Sequence, residues 1–565
     1  MSFSKKLCRL VNTLRYVRPV QVLYRGRYSL PRRPVRPPEE KFSSNVMSLW
    51  HAPLIAPESI DVSRNATFLN LTRTITPSTD WCDPAHELLW GYNLHYLDVL
   101  QSAQSRARRA FLQEWILEWV RSNPDTRTYA WDPYPLSLRM VNLVKWFARF
   151  PDNATDMLLQ NLALQARVLS QRLEYHLLAN HLFANAKALV FAGAYLKGPE
   201  AERWLQKGLS LLAREIPEQF LADGGHFERS PMYHASLLWD LCDLVNLAER
   251  SNSEALKAVL PAWRAQVSSS AGWLKAMLHP DGEISFFNDA SFGIAPSWEN
   301  ICAYLRQLEI AVPEPESPLC WLKDSGYCVL TPEAGSQAIL DIAPIGPDYQ
   351  PGHAHADTLS FELSLFGARF IVNSGTSEYG SGAIRQAERA TAAHNTVSVN
   401  GENSSEVWAG FRVARRAYPV DCRVQQNGDL LEVTAAHNGY LRLKGRNIHR
   451  RSWRALPGVF FIEDTVEGIY ESAIARMHFH PQVTITQTGA LQFECRHASG
   501  RAVNITLEGE AEASLVSAHW SPEFGVRVPN TCLEVRFTGG RLSTRIQWGI
   551  QFSGSLEPGY KPFSN

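Results

Sequence analysis

The chain has 565 residues, more than one ordinary hydrophobic core accommodates, so two or three domains are expected. Hydrophobic residues make up 45% and charged residues 20%, a globular balance, and a formal net charge of +0 argues against a general nucleic-acid binder. The nine cysteines are odd in number and lack CxxC spacing, which indicates neither a disulfide framework nor a zinc knuckle.

Residues 4–27 are basic and amphipathic, with no uninterrupted apolar run and no cleavage site. No signal peptide is read, and a cytoplasmic location is the default expectation. The segment reads as one helix packed on the main body, with a helix lying on an anionic membrane surface as the alternative. No run approaches about 18 consecutive apolar residues, so no integral membrane segment is expected. Pro31 to Lys41 is a proline-rich linker, and residues 43–80 look irregular with short strands.

From Trp81 to about Leu308 the texture is helical. In FLQEWILEWV, the residues Phe111, Leu112, Trp115, Ile116, Trp119 and Val120 form one apolar stripe. Similar stripes cover 136–149, 154–171, 175–196, 201–220, 231–249, 254–278 and 297–309. Such helices with short joints imply hairpins stacked around a common axis. Beyond Pro313 short alternating segments separated by turns predict a β-sandwich. The expected fold is α+β and multidomain, with residues 1–80 leading in. An incomplete α/α toroid over 81–312 and an antiparallel β-sandwich over 313–565 follow.

Three stretches carry candidate chemistry. In LLANHLFANAKAL, the residues Asn180, Ala184 and Lys187 share one helix face, and His181 and Asn185 add polar groups to an apolar helix. A buried polar network is the plainer reading. In DGGHFERSPMYH, Ser230-Pro231 is a strong helix start that sets Tyr233 in the first turn, where the helix dipole favours a phenolate. His226, Glu228 and His234 lie nearby in sequence. In GHAHADTLSFELSLFGARFIVNSG, a hairpin brings Asn373 back near His355, and a third strand over 396–400 would deliver His394. Histidines converging with Asp357 and Asn373 suggest a metal or proton-transfer site.

These motifs, in this order, resemble the heparinase II/III superfamily of polysaccharide lyases over about residues 85–480. The resemblance implies cleavage of an acidic, uronic-acid polysaccharide by β-elimination, with no organic cofactor. Asn180 matches the residue that neutralises the substrate carboxylate, Tyr233 the base, and His353 the histidine assisting proton transfer. His394 is counted with both the catalytic and the metal-associated positions, and His355 with the latter. Asn373 stands where the family often has Asp, so a structural zinc or calcium ion is left open. Tyr92, His95, Trp131, Tyr134, His181, His226 and Glu228 fit a substrate-binding wall. Arg139, Lys187, Arg385 and Arg389 are the candidates for holding substrate anions. Two alternatives stand beside the lyase. One is a glycoside hydrolase using Asp223, Glu228 and Asp289. The other is a non-catalytic glycan-binding or assembly protein of a surface-polysaccharide pathway. Beside the cytoplasmic default, the family resemblance implies the cell envelope or periplasm.

Overall fold

The computed structural model describes residues 3–48, 50–76 and 81–548. Residues 77–80 and 549–565, which end the first and third expected segments, lie outside the described residues. Where the sequence predicts one N-terminal helix there are two, α1 (Phe3–Leu14) and α2 (Pro19–Tyr28). Pro19 is the physical reason: it lacks an N–H, so it suits a first helical turn and breaks a continuing one. A hairpin of β1 (Asn65–Phe68) and β2 (Leu71–Thr74) follows.

The helical half contains α3 (Leu88–Tyr96), α4 (Arg109–Ser122), α5 (Pro133–Arg149), α6 (Asp156–Gln171) and α7 (Ala179–Tyr195). It continues with α8 (Pro199–Gln219), α9 (Pro231–Arg250), α10 (Glu254–Ala276) and α11 (Trp298–Gln307). Near the helix starts, the Tyr134 ring of α5 packs on His181 of α7. Two to three turns further on, Lys145 of α5 and Lys187 of α7 both reach Asp243 of α9. Helices α5 and α7 therefore run parallel, with their N-termini at one end. Close approach is built in: a Cβ on Gly193 would lie 2.6 Å from the Ala201 carbonyl oxygen, so α7 and α8 pack backbone to backbone there. Tryptophans 90, 115, 119, 131, 146 and 273 are fully enclosed and fill this half.

The β half opens with a five-stranded antiparallel sheet. Its strands, in spatial as in chain order, are β3 (Leu319–Leu322), β4 (Tyr327–Glu333), β5 (Ser336–Asp341), β6 (Phe361–Leu365) and β7 (Ala368–Ile371). Leu363, Leu365 and Phe361 line the sandwich core. The opposite face of β6 is buried too, against the helical half. There Glu362 accepts from His279 Nε2 (2.8 Å), the Phe286 N–H (3.0 Å) and the Asn373 N–H (2.7 Å). The expected third strand, β8 (Val397–Val399), does not join β6 and β7. It pairs with residues 473–478 in a separate four-stranded sheet, and an eight-stranded sheet completes the sandwich.

Candidate active site

The site lies where the N-termini of α7 and α9 meet the loops of the sandwich. Four non-glycine residues on three approaching turns have left-handed backbone: Leu178 (φ 65°), Ala179 (φ 50°), Arg229 (φ 58°) and Asn288 (φ 58°). Such conformations cost about 1–3 kcal/mol each and persist only where packing over-determines them. They directly precede Asn180, the Ser230 helix start and Asp289. Ser230 Oγ accepts from the Tyr233 N–H at 3.2 Å, the cap that the Ser-Pro pair predicts.

At the centre the Tyr233 and His353 rings stack, with centroids 3.8 Å apart and planes inclined by 16°. The Tyr233 hydroxyl shares a 2.7 Å hydrogen bond with the hydroxyl of Tyr379. His353 donates from Nδ1 to the Glu228 carboxylate. That bond leaves Nε2 with no protein partner among the described residues, and the ring orientation is fixed as in any carboxylate-anchored histidine. On the α7 side His181 Nδ1 bonds Glu174 at 3.1 Å, and its ring lies 4.6 Å from that of Tyr134. His181 and Glu228 are close enough that each shifts the proton affinity of the other. Buried Asn180 carries a side-chain oxygen with no partner, as does Glu228. Amide oxygen and nitrogen exchange on a flip, so Asn180 offers a ligand either atom.

Electrostatics divide the roles. Burial raises the Tyr233 phenol well above its ordinary 10.0, and Tyr379 and Asp289 raise it further. The helix dipole does not prevail, and the resting side chain is a neutral phenol. Burial also pushes Glu228 upwards, but the adjoining His353 brings its carboxyl below the usual range. For His181 burial lowers the proton affinity and Glu174 more than reverses this, so its pKa is raised.

Behind this centre runs a second chain of groups. Arg385 pairs through both guanidinium nitrogens with Asp289, which also binds His355 Nε2 at 2.8 Å. His355 Nδ1 faces His394 Nε2 at 3.2 Å, and His394 Nδ1 faces the Asn373 side-chain oxygen at 3.2 Å. Burial lowers His355 to about 4 and takes His394 well below its ordinary value. Two neutral imidazoles and an amide supply no charged oxygen. Among the described residues no set of three His, Cys, Asp or Glu could hold a metal ion. The donors do not fit a closed zinc site, which takes four ligands, or calcium, which takes six to eight oxygens.

Several expected binding residues face elsewhere. Arg139 is fully enclosed, donates to Gln165 and the His95 carbonyl, and lies 3.8 Å over the Trp119 ring. Lys187 is held between Asp240 and Asp243. Arg389 is buried and donates to the carbonyls of Ala354, Ala409 and Gly410. With Arg385 committed to Asp289, all four expected anion ligands are scaffold, because a buried guanidinium or ammonium requires protein partners. His95 accepts from Trp119 Nε1 inside the helical core, and Trp131 donates to the Asn123 carbonyl there. His226 is buried behind α7, bonded to Gln219, which in turn donates to the Ala179 carbonyl. It braces the turn that presents Asn180. Tyr92, half-buried, donates to Asp132, and half-buried Tyr134 stays at the opening beside His181.

The carboxylates of the hydrolase alternative form no acid–base pair. Asp223 accepts from Ser325 and the Gly225 N–H, Asp289 serves Arg385 and His355, and Glu228 holds His353. Sequence reasoning missed Tyr379 and Glu174. Tyr379 had a readable signal, a lone aromatic in the small-residue loop SGTSEYGSG.

Comparison with known proteins agrees with this two-part fold. The profile described as Heparinase II/III N-terminus matches residues 97–309, and that of Heparinase II/III-like, C-terminal matches residues 314–549. A heparin-sulfate lyase of Bacteroides stercoris is 24% identical over 440 residues, covering 68% of this chain and 62% of that protein. The chain thus spans about three fifths of that relative's length. FtsZ-localized protein C of Caulobacter vibrioides is 28% identical over 349 residues, 60% of this chain and 55% of that protein. The crystal structure of heparinase III superposes with a TM-score of 0.65 at 18% identity, covering 82% of this chain and 78% of that one. At that identity the likeness shows the fold.

Proposed function

Because the chain belongs to the heparinase II/III-like family, we propose that it is a polysaccharide lyase cleaving a uronic-acid-containing chain by β-elimination. The observation that carries this reading is the stacked Tyr233–His353 pair, a neutral phenol and a carboxylate-anchored imidazole. In the reaction, His353 Nε2 takes the proton at C5 of the uronate. The C–H electron pair forms the C4–C5 double bond, and the oxygen at C4 leaves with the proton of the Tyr233 hydroxyl. Imidazolium and phenolate then exchange a proton through solvent, which restores both. Asn180 and His181 hold the uronate carboxylate, into which charge flows as the proton departs. Glu228 keeps the Nε2 lone pair directed at the opening and stabilises the imidazolium.

Some relatives are heparin-sulfate lyases. Here Arg139, Lys187, Arg385 and Arg389 are all engaged by protein groups, which favours a weakly sulfated or unsulfated uronate chain. A panel of unsulfated uronate polysaccharides and heparin, read by ultraviolet absorbance of the unsaturated product, tests both points. Turnover on an unsulfated chain should exceed that on heparin by about tenfold or more, the scale on which a charged partner missing from a site discriminates. No unsaturated product from any uronate chain would overturn the lyase and leave the glycan-binding reading.

The same reading contains no resident metal, since Asn373 replaces a carboxylate and the facing imidazoles lack a third strong ligand. Protein purified without chelator should carry less than about a tenth of an equivalent of zinc or calcium, because a stable site needs a complete ligand set. Turnover should be unchanged by chelator.

A further inference from the structure

Helix α1 is mounted inside out. Leu7, Leu10, Val11 and Leu14, at i, i+3, i+4 and i+7, form its apolar stripe, and they are 51%, 38%, 59% and 50% exposed. The polar side packs inward instead. Thr13 Oγ1 donates to the Val413 carbonyl and accepts from Trp408 Nε1 at 3.1 Å, and Arg9 pairs with Glu406. Tyr16 lies under the Arg416 guanidinium, 3.8 Å away. Helix α2 repeats the arrangement: Gln21 is buried and donates to the Leu177 and Tyr349 carbonyls, while Val22 and Leu23 are 58% and 69% exposed. A surface helix ordinarily turns its apolar stripe to the core, so this stripe is built for a medium other than water.

Charge says which medium. Before Glu39 the chain has ten Lys and Arg residues and no Asp or Glu, in a sequence whose total charge is +0. Lys6, Arg15, Arg25 and Arg27 make no ion pair among the described residues and flank the apolar stripe. Apolar residues along one face with cations at its margins match the boundary between acyl chains and anionic headgroups. A second copy of this face is a poor partner, because two arrays of unpaired cations would repel. No helix of the described residues is long and apolar enough to cross a membrane.

We propose that α1 and α2 dock the protein on the surface of an anionic lipid bilayer, with Leu7, Leu10, Val11, Leu14, Val22 and Leu23 entering the headgroup layer. The docked face borders the candidate site. Gln21 bonds Leu177, three residues before Asn180, and α1 bonds Val413, two residues after Phe411, whose ring lies 6.4 Å from that of His353. A docked molecule holds its opening beside the bilayer, where membrane-attached glycan is found. The docking stands independently of the reaction assigned to the site.

The test is co-sedimentation of the full chain with vesicles of phosphatidylcholine alone or of equal parts phosphatidylglycerol and phosphatidylcholine. Binding to the anionic vesicles should exceed binding to the neutral ones by about tenfold or more and weaken with salt. The triple variant Leu7→Glu, Val11→Glu, Leu14→Glu should lose about tenfold or more of that binding. Its turnover on soluble substrate and its melting temperature should be unchanged. Should that variant fail to fold, Val22→Ser with Leu23→Ser decides in the same way. Absence of binding to anionic vesicles would overturn the proposal, as would binding that ignores these variants. A wild-type dimer that the variants dissociate would also overturn it, by giving the face to a second copy.

Discussion

Tyr233→Phe is expected to lower turnover by about 10²-fold or more while leaving stability nearly unchanged, since it removes one hydroxyl and keeps the ring stacked on His353. His353→Ala should cost a similar factor, and a substrate with an activated leaving group separates the two roles. If Tyr233 protonates the departing oxygen, a fluoride or nitrophenyl group at C4 of the uronate needs no such help. The Phe variant should then recover most of its rate, while the His353 variant should not. The electrostatic reason is that burial, reinforced by Tyr379 and Asp289, keeps the Tyr233 phenol protonated. Failure of the activated substrate to rescue Tyr233→Phe, with rescue of His353→Ala instead, would exchange the assignments. Tyr379→Phe, by contrast, removes the hydroxyl that bonds Tyr233 and should be milder, because Tyr379 has no bond to His353.

The largest stability effect is expected at Asp289. Its carboxylate is fully buried between Arg385 and His355, and Asp289→Ala leaves a buried guanidinium without a counter-charge. Breaking such a pair from one side costs about 3–5 kcal/mol. Replacing both partners, as in Asp289→Leu with Arg385→Met, should recover much of it. The loss should depend on pH with a definite sign. Burial alone would raise the Asp289 pKa, but Arg385 and His355 reverse this and hold it far below the ordinary 3.8. A depressed carboxylate contributes stability that is fully present above the unfolded-state value, about 3.9, and is lost as the pH falls towards the folded-state value. Urea midpoints of wild type and Asp289→Ala should therefore converge on acidification and differ most near neutrality. A gap that stays constant from about pH 7 to about pH 3 would show that the pair is not the source of the loss.

The division between the halves of the chain was present in the sequence. Helical stripes such as Phe111 to Val120 and alternating runs such as Thr358 to Leu365 are local patterns, because periodicity is written into neighbouring residues. The Ser230-Pro231 start was equally local, and with it the seating of Tyr233 in the first turn of α9. The family motifs also named Asn180 and His353, because each sits in a short distinctive string. The fate of charged side chains was not local. Arg139 and Lys187 read as cleft cations, yet the partners that bury them are Gln165, Asp240 and Asp243, tens of residues away. Arg385 was likewise claimed by Asp289, 96 positions earlier. The state of Tyr233 depended on Tyr379, 146 positions away, and on the burial that closes around both. Nor could sequence tell which side of α1 faces out. An amphipathic stripe states that one face avoids water, and only the docking of Thr13, Tyr16 and Gln21 showed that the polar face is the inner one. The sequence determined which segments are helix or strand and which motifs bear chemistry, since these rest on short-range pattern. Tertiary structure alone decided which charges are neutralised, which protons are held and which surfaces are left uncovered. Desolvation and Coulomb energies are set by distances that bring remote segments together.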